Sequence, residues 1–433
     1  MKINFQALGC RLNEAELDAW SRGFIQRGHQ LTNDWQCADL VVFNSCSVTA
    51  EADRKSRNLI NRAQRANPAA KLVVTGCYAS LQAPEVAEHP AVHMVVDNQQ
   101  KDQLVDLVVE KLQIEDGDHH LVQDHSIFAR GRHRAFVKVQ DGCRYRCTYC
   151  VVTLARGDER SRSIDTIVEE IELHSQQGVQ EVVLTGVHVG GYGSDRGDDL
   201  YRLIGEILSR TSIPRLRLAS VEPWDLPAYF FELFSDSRLM PHMHLPLQSG
   251  CDSVLRRMAR RCKTAEFEQL VERARDAVPL FNVTTDLIAG FPGETEQEWK
   301  ETVDFVQRVG FGDMHVFPFS PRFGTKAAGL AGQVSTQLRK ERCQQMRAIA
   351  AHMKLAELDK HVGRSYPVLW EQRADSAQRS GYTPHFHKVV ASINPGVNPA
   401  SGLEPDVTID ALDAHRMVLC HNQRVVTFGQ QLP

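Results

Sequence analysis

Cys143-Arg144-Tyr145-Arg146-Cys147-Thr148-Tyr149-Cys150 is the stretch on which the reading of this chain turns. Three thiols stand at the spacing C-x3-C-x2-C, just behind the alternating run Ala135-Phe136-Val137-Lys138-Val139, which reads as a short strand. Thiolates are soft ligands and suit iron–sulfur clusters or zinc. In a cubane cluster, three cysteines from one loop leave one iron without a ligand from that loop, and an open iron can bind a small molecule. Structural zinc sites usually recur as paired C-x2-4-C knuckles. No second knuckle follows here, so a zinc site would need a distant His or Cys to complete it.

Working outward, residues Ala135 to about Lys326 alternate strand and helix six times. The expected strands are Phe136–Val139, Glu181–Thr185, Arg215–Ala219, His242–Leu247, Asn282–Leu287 and Asp313–Phe317. Helical patterns such as Thr166–Gln177 and Thr264–Ala277 lie between them. This alternation argues for a parallel barrel, and six units rather than eight make it partial. The cysteine loop follows the first strand, Thr185-Gly186-Val187 the second, Ser220-Val221-Glu222 the third and Ile288–Glu294 the fifth. All four meet at the carboxyl ends, where such barrels carry their chemistry.

Residues 1–115 read as a small α/β sheet with strands at Ile3–Ala7, Leu40–Phe43, Leu72–Thr75 and, more weakly, Val92–Val96. Cys10, Cys46 and Cys77 each follow one of the first three strands. Loops at the carboxyl edge of an open parallel sheet can bring one thiolate each to a common point. Three buried core cysteines are the plain alternative. Gly9 and Gly76, directly before two of these cysteines, favour the ligand reading, because glycine permits close backbone approach. Ile114–Arg134 reads as a connector and Ser335–Val362 as a long helix. The short strand patterns Tyr366–Glu371, Lys388–Val390, Val407–Ile409 and Arg424–Thr427 then suggest a small β-barrel.

A chain of 433 residues holds two or three domains, and a formal charge of −4 leaves any nucleic-acid binding to local basic patches. The runs available are Arg54, Lys55, Arg57, Arg62 and Arg65 on one helix, then Arg256, Arg257, Arg260, Arg261 and Lys263, then Arg130, Arg132 and Arg134. Each run alone is as well explained by a solvated surface. Ala7-Leu8-Gly9-Cys10 lacks the apolar segment a lipoprotein signal needs, and no apolar run has transmembrane length, so a cytoplasmic location without a membrane partner is expected. Cys37, Cys251, Cys262, Cys343 and Cys420 read as small apolar fillers or inert surface thiols.

The cysteine spacing, with Tyr149 before the last thiol, resembles the radical S-adenosylmethionine (radical SAM) enzymes. The wider pattern comprises Leu8-Gly9-Cys10-Arg11-Leu12-Asn13 with Cys46 and Cys77, the core cysteines followed by Ala155-Arg156-Gly157, and Ser380-Gly381-Tyr382-Thr383 near the end. Together these resemble the radical SAM methylthiotransferases over the whole chain. The resemblance implies an amino-terminal flavodoxin-like parallel α/β cluster domain (1–115). It also implies a partial (β/α)6 TIM-type radical SAM core (129–361) and a carboxy-terminal TRAM β-barrel (362–430).

It further implies two [4Fe-4S] clusters, one on Cys143, Cys147 and Cys150 and one on Cys10, Cys46 and Cys77, together with S-adenosylmethionine. Tyr149, Gly186, Ser220, Glu222 and Ile288 are the candidates for holding that cofactor, with ordinary barrel packing as the alternative for each. The implied reaction replaces an inert C–H by a methylthio group, and a one-electron donor such as flavodoxin and a sulfur donor are expected partners. Leu8–Asn13, Leu245-Pro246-Leu247-Gln248-Ser249-Gly250 and His315-Val316-Phe317-Pro318-Phe319-Ser320 look most like the branch that modifies N6-threonylcarbamoyladenosine beside the tRNA anticodon. In that reading Arg156 is a candidate for reading the threonyl carboxylate. The neighbouring branches act on N6-isopentenyladenosine in tRNA or on an aspartate of a ribosomal protein. The latter typically has Pro-Lys where this chain has Arg11-Leu12. Val151-Val152-Thr153 departs from the Val-Val-Pro or Ile-Ile-Pro usual after the third core cysteine. A non-catalytic zinc- or cluster-bearing RNA-binding protein is the contrasting possibility.

Overall fold

The computed structural model describes residues 1–117, 133–371, 378–392, 402–413, 416–421 and 424–427. At the amino terminus lie β1 (Lys2–Ala7), β2 (Gln30–Leu31), β3 (Leu40–Ser45), β4 (Lys71–Gly76) and β5 (Met94–Val96). They form one parallel sheet in the order β2-β1-β3-β4-β5, an order that doubly wound nucleotide-binding sheets also use. β3 is buried along its whole length, as its unbroken apolar run requires. The pair Gln30–Leu31 escapes a pattern search because two residues carry no periodicity. Helix Ala50–Ala66 starts on Thr49, whose hydroxyl accepts from Ala52 N–H, and stops before Pro68, which restricts the residue ahead of it to extended backbone.

The next strands are β6 (Arg134–Lys138), β7 (Gln140–Asp141), β8 (Arg160–Ser161), β9 (Glu181–Thr185), β10 (Arg215–Leu218), β11 (His242–His244), β12 (Asn282–Ala289) and β13 (Asp313–Pro318). Six of them run parallel in the order β6-β9-β10-β11-β12-β13. Bridges Leu216–Leu239 and Ser220–His244 join its two halves, while β7 and β8 form a separate antiparallel pair. All six expected strands are therefore present. β11 ends three residues earlier than its pattern suggests, where the chain enters Leu245-Pro246-Leu247. Helices cover the outer face, and helix Glu296–Val309 shows why they form where they do. Thr295 Oγ1 accepts from Glu298 N–H at 3.2 Å, while Glu298 Oε2 accepts from Thr295 N–H at 2.9 Å. Val137, Leu184, Leu216, Leu218, Met243, Val283 and Leu287 fill the layer between the strands and these helices. Each such buried side chain contributes roughly 1.5–3 kcal/mol.

Helix Thr336–Asp359 packs along β13 and leads to β14 (Ser365–Glu371), β15 (Gln378–Tyr382), β16 (Lys388–Ser392), β17 (Gly402–Asp413), β18 (Arg416–His421) and β19 (Arg424–Thr427). These strands form an antiparallel sheet in the order β16-β15-β14-β17-β18-β19. Two of them, β15 and β18, have no counterpart among the expected strands: Gly381 and the polar residues weaken the signal of β15, whereas β18 carries the apolar run Met417–Cys420, a strand signal that the expectation missed.

This sheet rests on the amino-terminal ends of the barrel strands. Arg215 and Arg217 donate to the carbonyls of Thr383 and Pro384, and Asn282 Nδ2 donates to His385 O at 2.7 Å. The three arginines Arg134, Arg215 and Arg217 converge on the fully buried Glu181. They hold its carboxyl well below the usual range against the opposing effect of burial. Arg134, expected in a phosphate-binding run, is thus part of the barrel floor, whereas Arg130 and Arg132 lie outside the described residues. No helix among the described residues is long and apolar enough to cross a membrane.

Candidate active site between two cysteine sets

The first set lies in the loop between β7 and helix Val152–Arg156, at the carboxyl end of β6. Burial pushes the Cys143 thiol up to about 12 and the Cys150 thiol up to about 11, and in each case another thiol of the loop adds to the rise. Protein donors point the other way: Tyr145 N–H lies 3.4 Å from Cys143 Sγ, and the Arg260 guanidinium opposes the rise at Cys147. These partly buried soft donors, with hydrogen-bond donors and a cation beside them, suit a cluster that replaces the thiol protons.

Around this loop stand the residues expected to hold the cofactor. Glu222 pairs with Arg260 at 2.6 Å, and both act electrostatically on Cys147 and on Tyr149. Tyr149 and Ile288 pack against one apolar cluster that includes Cys251, Phe291 and Phe319. Ser220 sits two residues before Glu222, where the chain bridges to His244. Gly186 turns tightly against Gln140: a Cβ there would lie 3.0 Å from Gln140 O and from its Oε1. That same Oε1 accepts from the N–H of Val187 and His188. Tyr149, Gly186, Ser220 and Glu222 therefore sit on the loops at the carboxyl ends of the barrel strands, whereas Ile288, expected after the fifth strand, lies within the last two residues of β12, which runs on to Ala289.

The basic run after Arg256 is divided by this arrangement. Arg260 stacks over Trp224 at 4.4 Å and is buried, and Arg257 pairs with Glu298 at 2.8 Å. Only Arg256, Arg261 and Lys263 remain exposed. On helix Ala50–Ala66, by contrast, Arg54, Lys55, Arg57, Arg62 and Arg65 all face solvent. Sequence alone shows both runs as charge and does not tell the solvated one from the folded-in one.

The second set follows β1, β3 and β4. Cys46 and Cys77 are buried and Cys10 is exposed. Burial raises the Cys46 thiol to about 11, and Cys77 and Cys10 add to it. Both preceding glycines are required here. Gly9 has φ +103, and a Cβ on it would fall 2.6 Å from Cys46 Sγ; Gly76 has φ +92, and a Cβ there would meet Ser45 O at 2.3 Å. Ser56 fixes the Cys46 loop by donating to Cys46 O at 2.9 Å.

The two sets are joined by Arg156, which is 1% exposed. It grows from the helix that follows Cys150 and reaches into the amino-terminal domain. Its guanidinium donates to Glu16 Oε1 at 3.0 Å, Asp141 Oδ1 at 2.9 Å, Asn13 Oδ1 at 2.9 Å and Cys77 Sγ at 3.4 Å. Lys101, also buried, pairs with Glu16 at 2.5 Å and with Asp141 at 3.5 Å. Burial would raise the Glu16 carboxyl, but Lys101 and Arg156 win and hold it down at about 2. Arg156 is thus a buried tie between the domains and not free to read a substrate carboxylate.

A second tie runs from Arg322, after β13, to Ser47 Oγ at 2.7 Å and Asp53 Oδ2 at 2.5 Å. Next to it Phe323 is 93% exposed, with Val48 and Leu154 also exposed; a Cβ on Gly324 would lie 3.1 Å from Leu154 Cδ1. Phe323, Val48 and Leu154 thus form exposed apolar surface beside the Arg322 tie. Nothing in the sequence marked Phe323 or Arg322, since a single Arg-Phe pair in a loop has no pattern.

Residues 137–306 match the radical SAM superfamily, and residues 2–97 match the uncharacterized protein family UPF0004. A threonylcarbamoyladenosine tRNA methylthiotransferase, MtaB, of Aquifex aeolicus is 35% identical over 380 residues, spanning 85% of this chain and 92% of the relative. The chain belongs to the radical SAM methylthiotransferases. A tRNA-2-methylthio-N(6)-dimethylallyladenosine synthase of Methylacidiphilum infernorum, from the neighbouring branch, is 29% identical, spanning 90% of this chain and 89% of the relative. The fold is shared with the radical SAM methyltransferase TsrM of Kitasatospora setae. There the TM-score is 0.58 at 15% identity, covering 92% of this chain and 86% of that one.

Proposed function

We propose that this enzyme is a tRNA methylthiotransferase that converts N6-threonylcarbamoyladenosine beside the anticodon to its 2-methylthio form. The observation that carries this reading is the connection of the two three-thiol sets by Arg156, which follows Cys150 and donates to Cys77 Sγ and Glu16 Oε1. The Aquifex relative, named for this substrate over nearly its whole length, supports the branch.

We read Cys143, Cys147 and Cys150 as ligands of one [4Fe-4S] cluster and Cys10, Cys46 and Cys77 as ligands of a second. Once bound, the first supplies one-electron cleavage of S-adenosylmethionine, and the second carries the sulfur to be inserted. Tyr149, Gly186, Ser220, Glu222 and Ile288 would line the cofactor's place. Glu222 is held by Arg260, and the apolar packing of Tyr149 and Ile288 keeps water from a reactive species. Arg156 would hold the two cysteine sets in register, and Phe323 would stack on a base drawn out of the anticodon loop, as single-stranded RNA readers use aromatics.

The exposed cations of helix Ala50–Ala66 suit phosphate contacts. The carboxy-terminal antiparallel sheet is read as the TRAM β-barrel, a one-electron donor such as flavodoxin and a sulfur donor as partners, and the cytoplasm as the location. Offering the reconstituted enzyme tRNA bearing either N6-threonylcarbamoyladenosine or N6-isopentenyladenosine tests the substrate. Methylthiolated product only from the first is expected. Product only from the second moves the enzyme to the branch of the Methylacidiphilum relative. Turnover of a ribosomal protein instead overturns the RNA reading.

A further inference from the structure

We propose that Glu357, His361 and His387 form a divalent-cation site, of the nitrogen–oxygen type that zinc occupies, which fastens the carboxy-terminal sheet to the end of helix Thr336–Asp359. Glu357 lies in the last turn of helix Thr336–Asp359, His361 follows one turn later, and His387 directly precedes β16. All three are buried, at 7%, 0% and 4% exposed. Their donor atoms lie within 4.8 Å of one another. His361 Nε2 is 3.1 Å from His387 Nε2 and 3.6 Å from Glu357 Oε1. Donors at ~2.0–2.1 Å around a tetrahedral ion stand about 3.3 Å apart, so these edges already have the right length.

The surroundings are those of a ligand set. His361 Nδ1 lies 2.7 Å from the Tyr366 hydroxyl. With that oxygen accepting the Nδ1 proton, the lone pair of His361 is at Nε2, facing the other two donors. Lys360 Nζ holds Glu357 Oε2 at 2.7 Å and leaves Oε1 for the ion. His385, 6% exposed, has its ring 4.8 Å from that of His361, and its Nδ1 has no hydrogen-bond partner. His385 is not among the three mutually close donors, so the fourth position of a tetrahedral ion here would be filled from outside the protein, as in three-ligand zinc sites.

An ion there would add to an apolar core that includes Leu358, Val368, Trp370, Val389, Val407 and Ile409, with Val362 and Tyr366 packed against it. The site draws Glu357 and His361 from the end of the helix and the turn after it and His387 from the turn before β16, so an ion there pins that turn to the helix end.

The test uses the full-length, cluster-reconstituted protein dialysed against zinc-free buffer, with zinc determined by elemental analysis. Zinc at about one per chain is expected, lost in His361→Gln and His387→Gln while the visible cluster absorbance stays. Tyr366→Phe is expected to weaken zinc about tenfold or more in a competition with a chelator. Zinc trapped at cysteines is told apart by cobalt substitution: a nitrogen–oxygen set gives weak visible bands without the intense thiolate charge-transfer band. Absence of zinc with no thermal shift on adding zinc sulfate overturns the proposal. So does zinc content that is unchanged in both histidine variants, or a cobalt spectrum showing thiolate ligation only.

Discussion

Replacing Arg156 by Met keeps the length of the side chain and removes the charge and every donor of the tie between the domains. Three hydrogen bonds to Glu16, Asp141 and Asn13, at 2.9–3.0 Å, disappear with the contact to Cys77. Breaking a buried ion pair from one side costs roughly 3–5 kcal/mol, because the partner charge stays buried. Here Lys101 still reaches both Glu16 and Asp141, so the lower end, about 3 kcal/mol, is expected. Spread over the interface, that is more than a hundredfold, roughly, in the ratio of docked to undocked domains. Two measurements follow it. The urea midpoint of the protein should fall. Formation of 5′-deoxyadenosine should remain within a factor of about three, while methylthio insertion, which needs both cysteine sets in register, should drop by about tenfold or more. Arg156→Lys restores charge but not the planar fork and should lie between the two. A methionine variant as stable as the parent, with both activities intact, would refute the role assigned to this tie.

Cys147→Ala should abolish reductive cleavage of S-adenosylmethionine, whereas Cys46→Ala should leave it and stop methylthio insertion; comparing 5′-deoxyadenosine with modified nucleoside by mass spectrometry checks both. Phe323→Ala, at an exposed position, should leave stability and tRNA-independent cofactor cleavage unchanged and raise KM for tRNA roughly 5- to 150-fold, the span of one stacked base. An unchanged KM rules out the stacking role. His188 lies 2.9 Å from both Glu159 and Asp225, and although burial opposes its charge, the two carboxylates lift its pKa to about 9. Its contribution, about 3 kcal/mol, is therefore complete below the unfolded value near 6.5 and disappears as pH rises through 9. The urea midpoint of the parent should fall across that window more than that of His188→Gln, and parallel profiles would count against the charged state.

Regular features were legible wherever a pattern repeats. The parallel strands announce themselves as apolar runs, and the loops after them locate both cysteine sets before any coordinates are known. Gly9 and Gly76 carry the same information at single positions, since only glycine tolerates their backbone and the sulfur beside it. What composition hides is the direction in which a charge points. Arg134, Arg156 and Arg260 look like their solvated neighbours in sequence, yet each is drawn inward by a carboxylate from a distant segment: Glu181, Glu16 and Glu222. The histidines near 361 and 387 were invisible for the same reason. The chain separates them by more than twenty residues, and only the docking of β16 on the helix end brings them together.

The carboxy-terminal sheet sits at the amino-terminal ends of the barrel strands, while the core cysteines stand at the carboxyl ends. β12 spans eight residues, about 26 Å along the strand, and with the ~36° tilt of barrel strands the two levels are separated by roughly 20 Å. No single small molecule bridges that distance. Were the sheet to hold a substrate that is altered at the thiol loops, that substrate would have to be an extended polymer laid along the flank of the barrel. Its reactive unit then reaches the mouth only at one fixed offset from the point where it is held. In such an arrangement the barrel works as a ruler: the position modified is set by the length of strand between grip and chemistry, as well as by the fit of the base.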